Sequence, residues 1–143
     1  MEVKQISVFL ENKKGRLWEA MNALAKSQIN IRALSIADTT EFGILRLIVP
    51  SPQKARKVLE QSGFVVREND VIAVGVSDKP GGLASVLKIL TDAGINIEYL
   101  YAFVEKSGKK AVVVLRPDST SKGKKALKAA GVTVLSPRQV YSL

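Results

Sequence analysis

The chain has 143 residues, 46% apolar and 24% charged, the balance of one globular domain or two small ones. It contains no cysteine and no histidine, so disulfides, thiolate metal sites and histidine-based acid–base or nucleophilic catalysis are excluded. The net charge is +9; residues 1–70 carry 11 Lys/Arg against 8 Asp/Glu, and residues 71–143 carry 11 against 5.

Ile6, Val8 and Leu10 alternate with Ser7 and Phe9 and predict a strand. Leu17, Ala20, Met21 and Leu24 then recur at i, i+3, i+4 and i+7, one face of a helix, with Trp18 off that face. Ile29-Asn30-Ile31 begins a strand running to about Asp38. Asp38-Thr39-Thr40-Glu41 reads as a hairpin turn, followed by a strand with Leu45, Leu47 and Val49 on one side. Pro50-Ser51-Pro52 stops it. Ala55, Val58 and Leu59 mark a short helix ending at Ser62-Gly63, and Phe64-Val65-Val66 closes the unit as a strand.

The same order then recurs. Val71 to Val76 is a strand; Leu83, Val86, Leu87 and Leu90 repeat the first helix face. Gly94-Ile95-Asn96-Ile97 mirrors Gln28-Ile29-Asn30-Ile31, and Ala111, Val113 and Leu115 mirror Leu45, Leu47 and Val49. Lys122 to Ala130 is the second helix, closed by Gly131, and Val132-Thr133-Val134 is the last strand. The registers agree without a gap through three elements and then need a two-residue insertion, the mark of a duplication. The expected organisation is two α+β units, 1–69 and 70–143, each strand–helix–strand–strand–helix–strand. A unit of about 70 residues is marginal alone, and its sheet has an edge to cover. The expectation is two ferredoxin-like βαββαβ units packed side by side, their antiparallel sheets joined and their helices on one face.

Alternation also sorts the far face of the second sheet. With Leu100 and Ala102 toward the helices, Tyr99, Tyr101, Phe103, Val112 and Val114 face away as one apolar patch. The equivalent positions of the first unit are Ala33, Ser35, Ala37, Arg46 and Ile48. A contiguous apolar patch predicts a partner, here a second copy of the chain in a homodimer.

Two loops repeat 66 positions apart: Asn12-Lys13-Lys14-Gly15-Arg16-Leu17 and Asp78-Lys79-Pro80-Gly81-Gly82-Leu83. Each follows a strand and opens a helix. Unpaired N–H groups at a helix start, with the positive end of its dipole, accept a carboxylate. Asn12 or Asp78 at the same mouth takes an ammonium. The competing reading of each loop is a helix cap after a tight turn. For Asn30 and Asn96 it is a strand-entry side chain bonded to backbone.

These loops, with Ile29-Asn30-Ile31 and Gly94-Ile95-Asn96-Ile97, resemble those of ACT domains, the small amino-acid-binding regulatory modules of amino-acid metabolism. The resemblance covers essentially the whole chain and is nearest to tandem ACT pairs with no attached enzyme. It implies ligand sites at the seam between two units, where the first strand–helix loop of one faces the second strand of the other. On that pattern Asn12 and Asp78 hold the ligand's amino group. Gly15 and Gly81 let the backbone approach it, flanked by Arg16, Leu17, Pro80, Gly82 and Leu83, and Asn30 and Asn96 stand near the second strand. The first loop departs from the pattern at Lys14 and Arg16, which predicts a more crowded site.

The basic run Lys122, Lys124, Lys125 and Lys128 raises nucleic acid as a partner, but the basic aromatic-glycine signature of RNA-binding modules of this fold is absent. No carboxylate pair or phosphate-binding glycine loop stands at a catalytic spacing, so no enzyme activity, cofactor or metal is expected. No basic head leads an apolar run and none approaches a bilayer span, so a cytoplasmic protein without a membrane is expected. The sequence therefore predicts a non-catalytic sensor of a free amino acid that signals to a separate metabolic enzyme. The alternatives are a regulatory subunit or interaction module that binds no ligand and, more distantly, an RNA-binding module.

Overall fold

The computed structural model describes residues 2–38, 42–103 and 109–143. Among these residues, seven antiparallel strands and five helices match tandem ferredoxin-like units. They form two compact units, Lys4–Asn69 and Asp70–Leu143, the latter taking in Met1–Val3 as well.

The first unit contains β1 (Val3–Glu11), α1 (Arg16–Lys26), β2 (Ala33–Asp38), β3 (Phe42–Ile48) and α2 (Pro52–Gln61). The first part of β4 (Val65–Ser77) completes its sheet, in the order β2–β3–β1–β4. The expected strand alternation holds: Ile6 pairs with Leu47 and Val8 with Leu45, and these four meet Ala20 and Leu24 of α1 and Ala55 and Leu59 of α2 in one core. Of the predicted hairpin turn, Thr39, Thr40 and Glu41 lie outside the described residues. On the other side of the sheet Gln5 is fully buried and its Nε2 donates to Ser7 Oγ, which donates to Asn69 Oδ1 at 2.6 Å. That chain of bonds satisfies polar groups whose burial without partners is costly.

The second unit continues with the rest of β4, then α3 (Gly82–Asp92), β5 (Ile97–Ala102), β6 (Lys110–Pro117), α4 (Thr120–Ala129) and β7 (Thr133–Val134). Its strand order is β7–β4–β6–β5. Ile72, Val74, Val113, Leu115, Val86, Leu90 and Leu127 make the core between sheet and helices. The predicted strands Phe64–Val66 and Val71–Val76 are one continuous element, because no Gly or Pro between them breaks the extended backbone. A fifth helix, α5 (Pro137–Tyr141), follows β7 and was not anticipated. Its signal was in the sequence: Ser136 Oγ accepts from Gln139 N–H and the Gln139 side chain accepts from Ser136 N–H, a capping box with proline at the first position.

The alternation expected for this face is present. Tyr101 does pair with Val114 on the side away from the helices, while Leu100 and Ala102 pair with Leu115 and Val113 on theirs. Yet Val112 and Val114 are 1% and 0% exposed, Tyr101 and Phe103 are buried, and Tyr99 is half-buried and stacked beside Tyr101. Alternation reports which side a residue takes, not whether that side is covered.

No helix among the described residues is long and apolar enough to cross a membrane.

Gly82 sits where a Cβ would lie 1.9 Å from the carbonyl oxygen of Ser77. Gly82→Ala must therefore move backbone, and a loss of about 1–3 kcal/mol in chemical denaturation of the full chain is expected. Ser136→Ala removes the cap of α5, and faster amide exchange confined to residues 137–141 is expected, with about 1 kcal/mol lost locally.

Candidate functional site

The two repeated loops have the same backbone. Lys13 N–H donates to Glu11 O at 2.8 Å and Lys79 N–H to Ser77 O at 2.9 Å. Arg16 N–H donates to Lys13 O, and Gly82 N–H to Lys79 O. The first helical bonds run from Glu19 to Gly15 and from Ser85 to Gly81. Gly15 and Gly81 stand at the N-cap with φ of +87° and +85°, the left-handed region that glycine enters without the Cβ penalty. A Cβ at either would meet nothing within 4 Å, so the space beside each turn is open.

Neither helix start receives a side-chain cap. Asn12 and Asp78 stand three residues ahead of these glycines and are exposed. The N–H groups of Leu17 and Trp18, and of Leu83 and Ala84, lie ahead of the first helical bond at a positive dipole end. Chemically, each loop offers amide donors for a carboxylate with a polar or acidic side chain nearby. Pro80 is exposed beside Gly81, and Leu83 is half-buried against the core of its unit.

The loops differ in charge. Lys13 forms an ion pair with Glu11 at 2.8 Å, and this ammonium, bonding to the carboxylate and attracting it, holds the Glu11 carboxyl below its usual range. The residue in the place of Glu11 in the second loop is Ser77. Arg16, expected to crowd the first loop, lies instead along the flank of α1. Its guanidinium sits 4.0 Å over the Phe64 ring and 2.7 Å from Glu19.

Asn30 and Asn96 are not brought to these loops within a unit. The register runs from Asp38↔Gly43 to Ala33↔Ile48, while the loop follows Glu11, which pairs with Phe42. Asn30 precedes Ala33 and therefore lies at the opposite end of the sheet, about 17 Å or more from the loop by strand rise. Its Oδ1 accepts from Ile31 N–H at 2.9 Å, the backbone role that strand-entry asparagines commonly take. In the second unit, Ser77↔Lys110 marks the loop end, and Asn96, whose carbonyl accepts from Asp118 N–H, is at the other.

Elsewhere a depression of about 460 Å³ lies along α2. Its Arg56 is already paired with Glu60 at 3.2 Å and Glu68 at 3.9 Å, so the surface is charge-matched. Among the described residues no group of three acidic side chains is placed to hold a metal.

With this geometry in view, comparison with known proteins is informative. The ACT domain pair family profile matches residues 1–140. A protein of Bacteroides thetaiotaomicron of known structure is 44% identical over all of this chain and 98% of its own, with a TM-score of 0.93. The regulatory subunit of aspartate kinase from Thermus thermophilus, in its ligand-free form, shares the fold at a TM-score of 0.65, with 19% identity and 92% of each chain covered. The aspartate kinase of Clostridium acetobutylicum, an allosteric enzyme, gives 0.57 and 14%, this chain matching 33% of that larger one. No curated protein matches the chain significantly. The tandem units, the paired glycine turns and the match over residues 1–140 together make the chain a member of the ACT domain pair family.

Proposed function

We propose that the chain is a non-catalytic regulatory protein of the cytoplasm that binds a free amino acid at its strand–helix loops and signals to a separate metabolic enzyme. The observation that carries this reading is the left-handed glycine turn that opens a helix, built twice with the same hydrogen bonds. The ligand's carboxylate accepts from the helix-start N–H groups, Leu83 and Ala84 in the second unit. Asp78 takes its ammonium. Gly81 keeps that approach free of a side chain, with Pro80 and Gly82 shaping the turn.

The second loop is the stronger site. A full negative charge at Asp78 binds an ammonium better than the amide of Asn12 does. In the first loop Gly15, Arg16 and Leu17 supply the same backbone, but the Lys13–Glu11 pair places two more charges at the mouth. Asn30 and Asn96 lie too far along the sheet to touch a ligand held by the loop of their own unit.

Signalling is a population shift: the ligand favours whichever arrangement of the protein makes the more contacts with it. Solved regulatory subunits of aspartate kinase with this fold support a regulatory role and an enzyme of amino-acid metabolism as partner.

Calorimetric titration of the full chain with each of the twenty amino acids tests the reading. A ligand of about ten heavy atoms at roughly −0.8 kcal/mol per atom reaches micromolar affinity. At a hundredfold excess over its dissociation constant it stabilises the fold by about 2.7 kcal/mol. Asp78→Ala is expected to remove the tighter site and leave the melting temperature of the free protein within a few degrees. No heat with any amino acid would favour a docking subunit that binds no ligand; unchanged binding by Asp78→Ala would move the site elsewhere.

A further inference from the structure

The two units diverge at one place beyond their loops. In the first, the flank of α1 is filled: Arg16 lies over Phe64 and pairs with Glu19. The register of the repeat puts Gly82, Val132 and Ser85 at those three positions in the second unit. A guanidinium, a phenyl ring and a carboxylate are thus replaced by a hydrogen, an isopropyl group and a hydroxyl. A cavity of about 290 Å³ occupies this flank, at the β4 edge where β7 pairs only with Val74 and Gly75.

Its lining has two parts. Val76, Val86, Ile89 and Val132 make an apolar wall. Ser77, Ser85 and Thr133 place hydroxyls around it, and among the described residues the charged ones that line it are Lys79 and Lys110. Lys110 is held in place: its ammonium donates to Thr133 Oγ. Its stem crosses Gly75, where a Cβ would come within 3.0 Å of the Lys110 Cδ. Gly82 has a separate reason to be glycine, its contact with Ser77 O. Gly75 instead makes room for a lysine at the cavity.

We propose that this flank of α3 is a second binding site, present in the second unit alone, for a small organic anion with a branched apolar body. The anionic head meets Lys110 and Lys79, and the body lies on Val86, Ile89 and Val132. The volume is at the small end for ligand pockets, enough for a molecule of amino-acid size. Two ammonium groups, with no carboxylate among the described lining residues, select against a cation. This site differs from the loop mouth, where Asp78 stands for an ammonium, in the charge it takes.

The test uses the full chain labelled for amide NMR and 3-methyl-2-oxobutanoate, which has a carboxylate and an isopropyl group but no ammonium for Asp78; Asp78→Ala, which removes the loop site, is expected to bind it unchanged, and loss of binding in that variant would overturn the proposal. The amides of Ser85, Gly131 and Thr133 are expected to shift on titration. Two exposed-site variants, Lys110→Gln and Ser85→Glu, the second copying Glu19 of the first unit, should each weaken binding at least about tenfold. Isobutylamine, with the same body and the opposite charge, should leave these amides unmoved. Unmoved amides with the oxoacid to about 10 mM, undiminished binding by both variants, equal binding of isobutylamine, or inorganic phosphate binding as tightly as the oxoacid would each overturn the proposal.

Discussion

The backbone turn at Gly15 and Gly81 is the constraint on which both loops depend. A left-handed residue at the N-cap ends the strand's extended path and starts the helix within a few residues. An L side chain there costs roughly 1–2 kcal/mol. With the cap position given to glycine, no side-chain oxygen at that residue can reach back to the first N–H groups. The helix start is open because of the same choice that makes the turn possible. Natural helices usually close this end with Ser, Thr, Asp or Asn, and α5 of this chain does so with Ser136. Ser119 does the same for α4, while α2, opened by Ser51 and Pro52, receives no such bond.

Duplication kept that turn and let its surroundings drift. The hydrogen-bond pattern of the two loops is the same to within a few tenths of an ångström. The side chains are not: Glu11 became or was Ser77, Arg16 stands against Gly82, Phe64 against Val132. In the first unit these groups satisfy one another, a cation over a ring and beside a carboxylate. Such mutual satisfaction stiffens the flank and excludes a ligand. In the second unit the partners are all absent together, so no charge is left stranded and the flank opens. Loss of only one of the three would have left an exposed arginine or glutamate with little consequence for space.

The fold was largely legible in the sequence because period and punctuation agree. Alternation of Ile6, Val8 and Leu10, the helical spacing of Leu83, Val86, Leu87 and Leu90, and a glycine after each second helix all found their elements. The limits were physical too. Leu17, on the predicted apolar face, is 40% exposed, because it lies in the first turn, ahead of the part of α1 that packs on the core. β7 is two residues long where three were expected, and its shortness is what exposes the edge at Val76 and Ser77. Burial of Val112 and Val114 could not be read from alternation, which is blind to covering. The glycine turns were legible, but the spacing of Asn30 behind Gly15 says nothing of strand direction. The register does, since β2 must run back toward the loop and so begins far from it.

That direction constrains how any amino acid can be held. The carboxylate and ammonium of such a ligand are about one bond apart through a single carbon, whereas the loop and the asparagine of one unit are separated by about 17 Å or more. No single amino acid spans that distance. Within a unit the loop must therefore provide for both charges, and it has the means: amide donors at the helix start and, at Asp78, a carboxylate. The two requirements pull against each other, since a carboxylate too near the helix start would itself occupy the donors and repel the ligand's. Asp78 stands three residues ahead of the Gly81 N-cap. A ligand whose anion meets the N–H groups and whose cation meets Asp78 satisfies both requirements, a division that Asn12 makes only with a neutral amide.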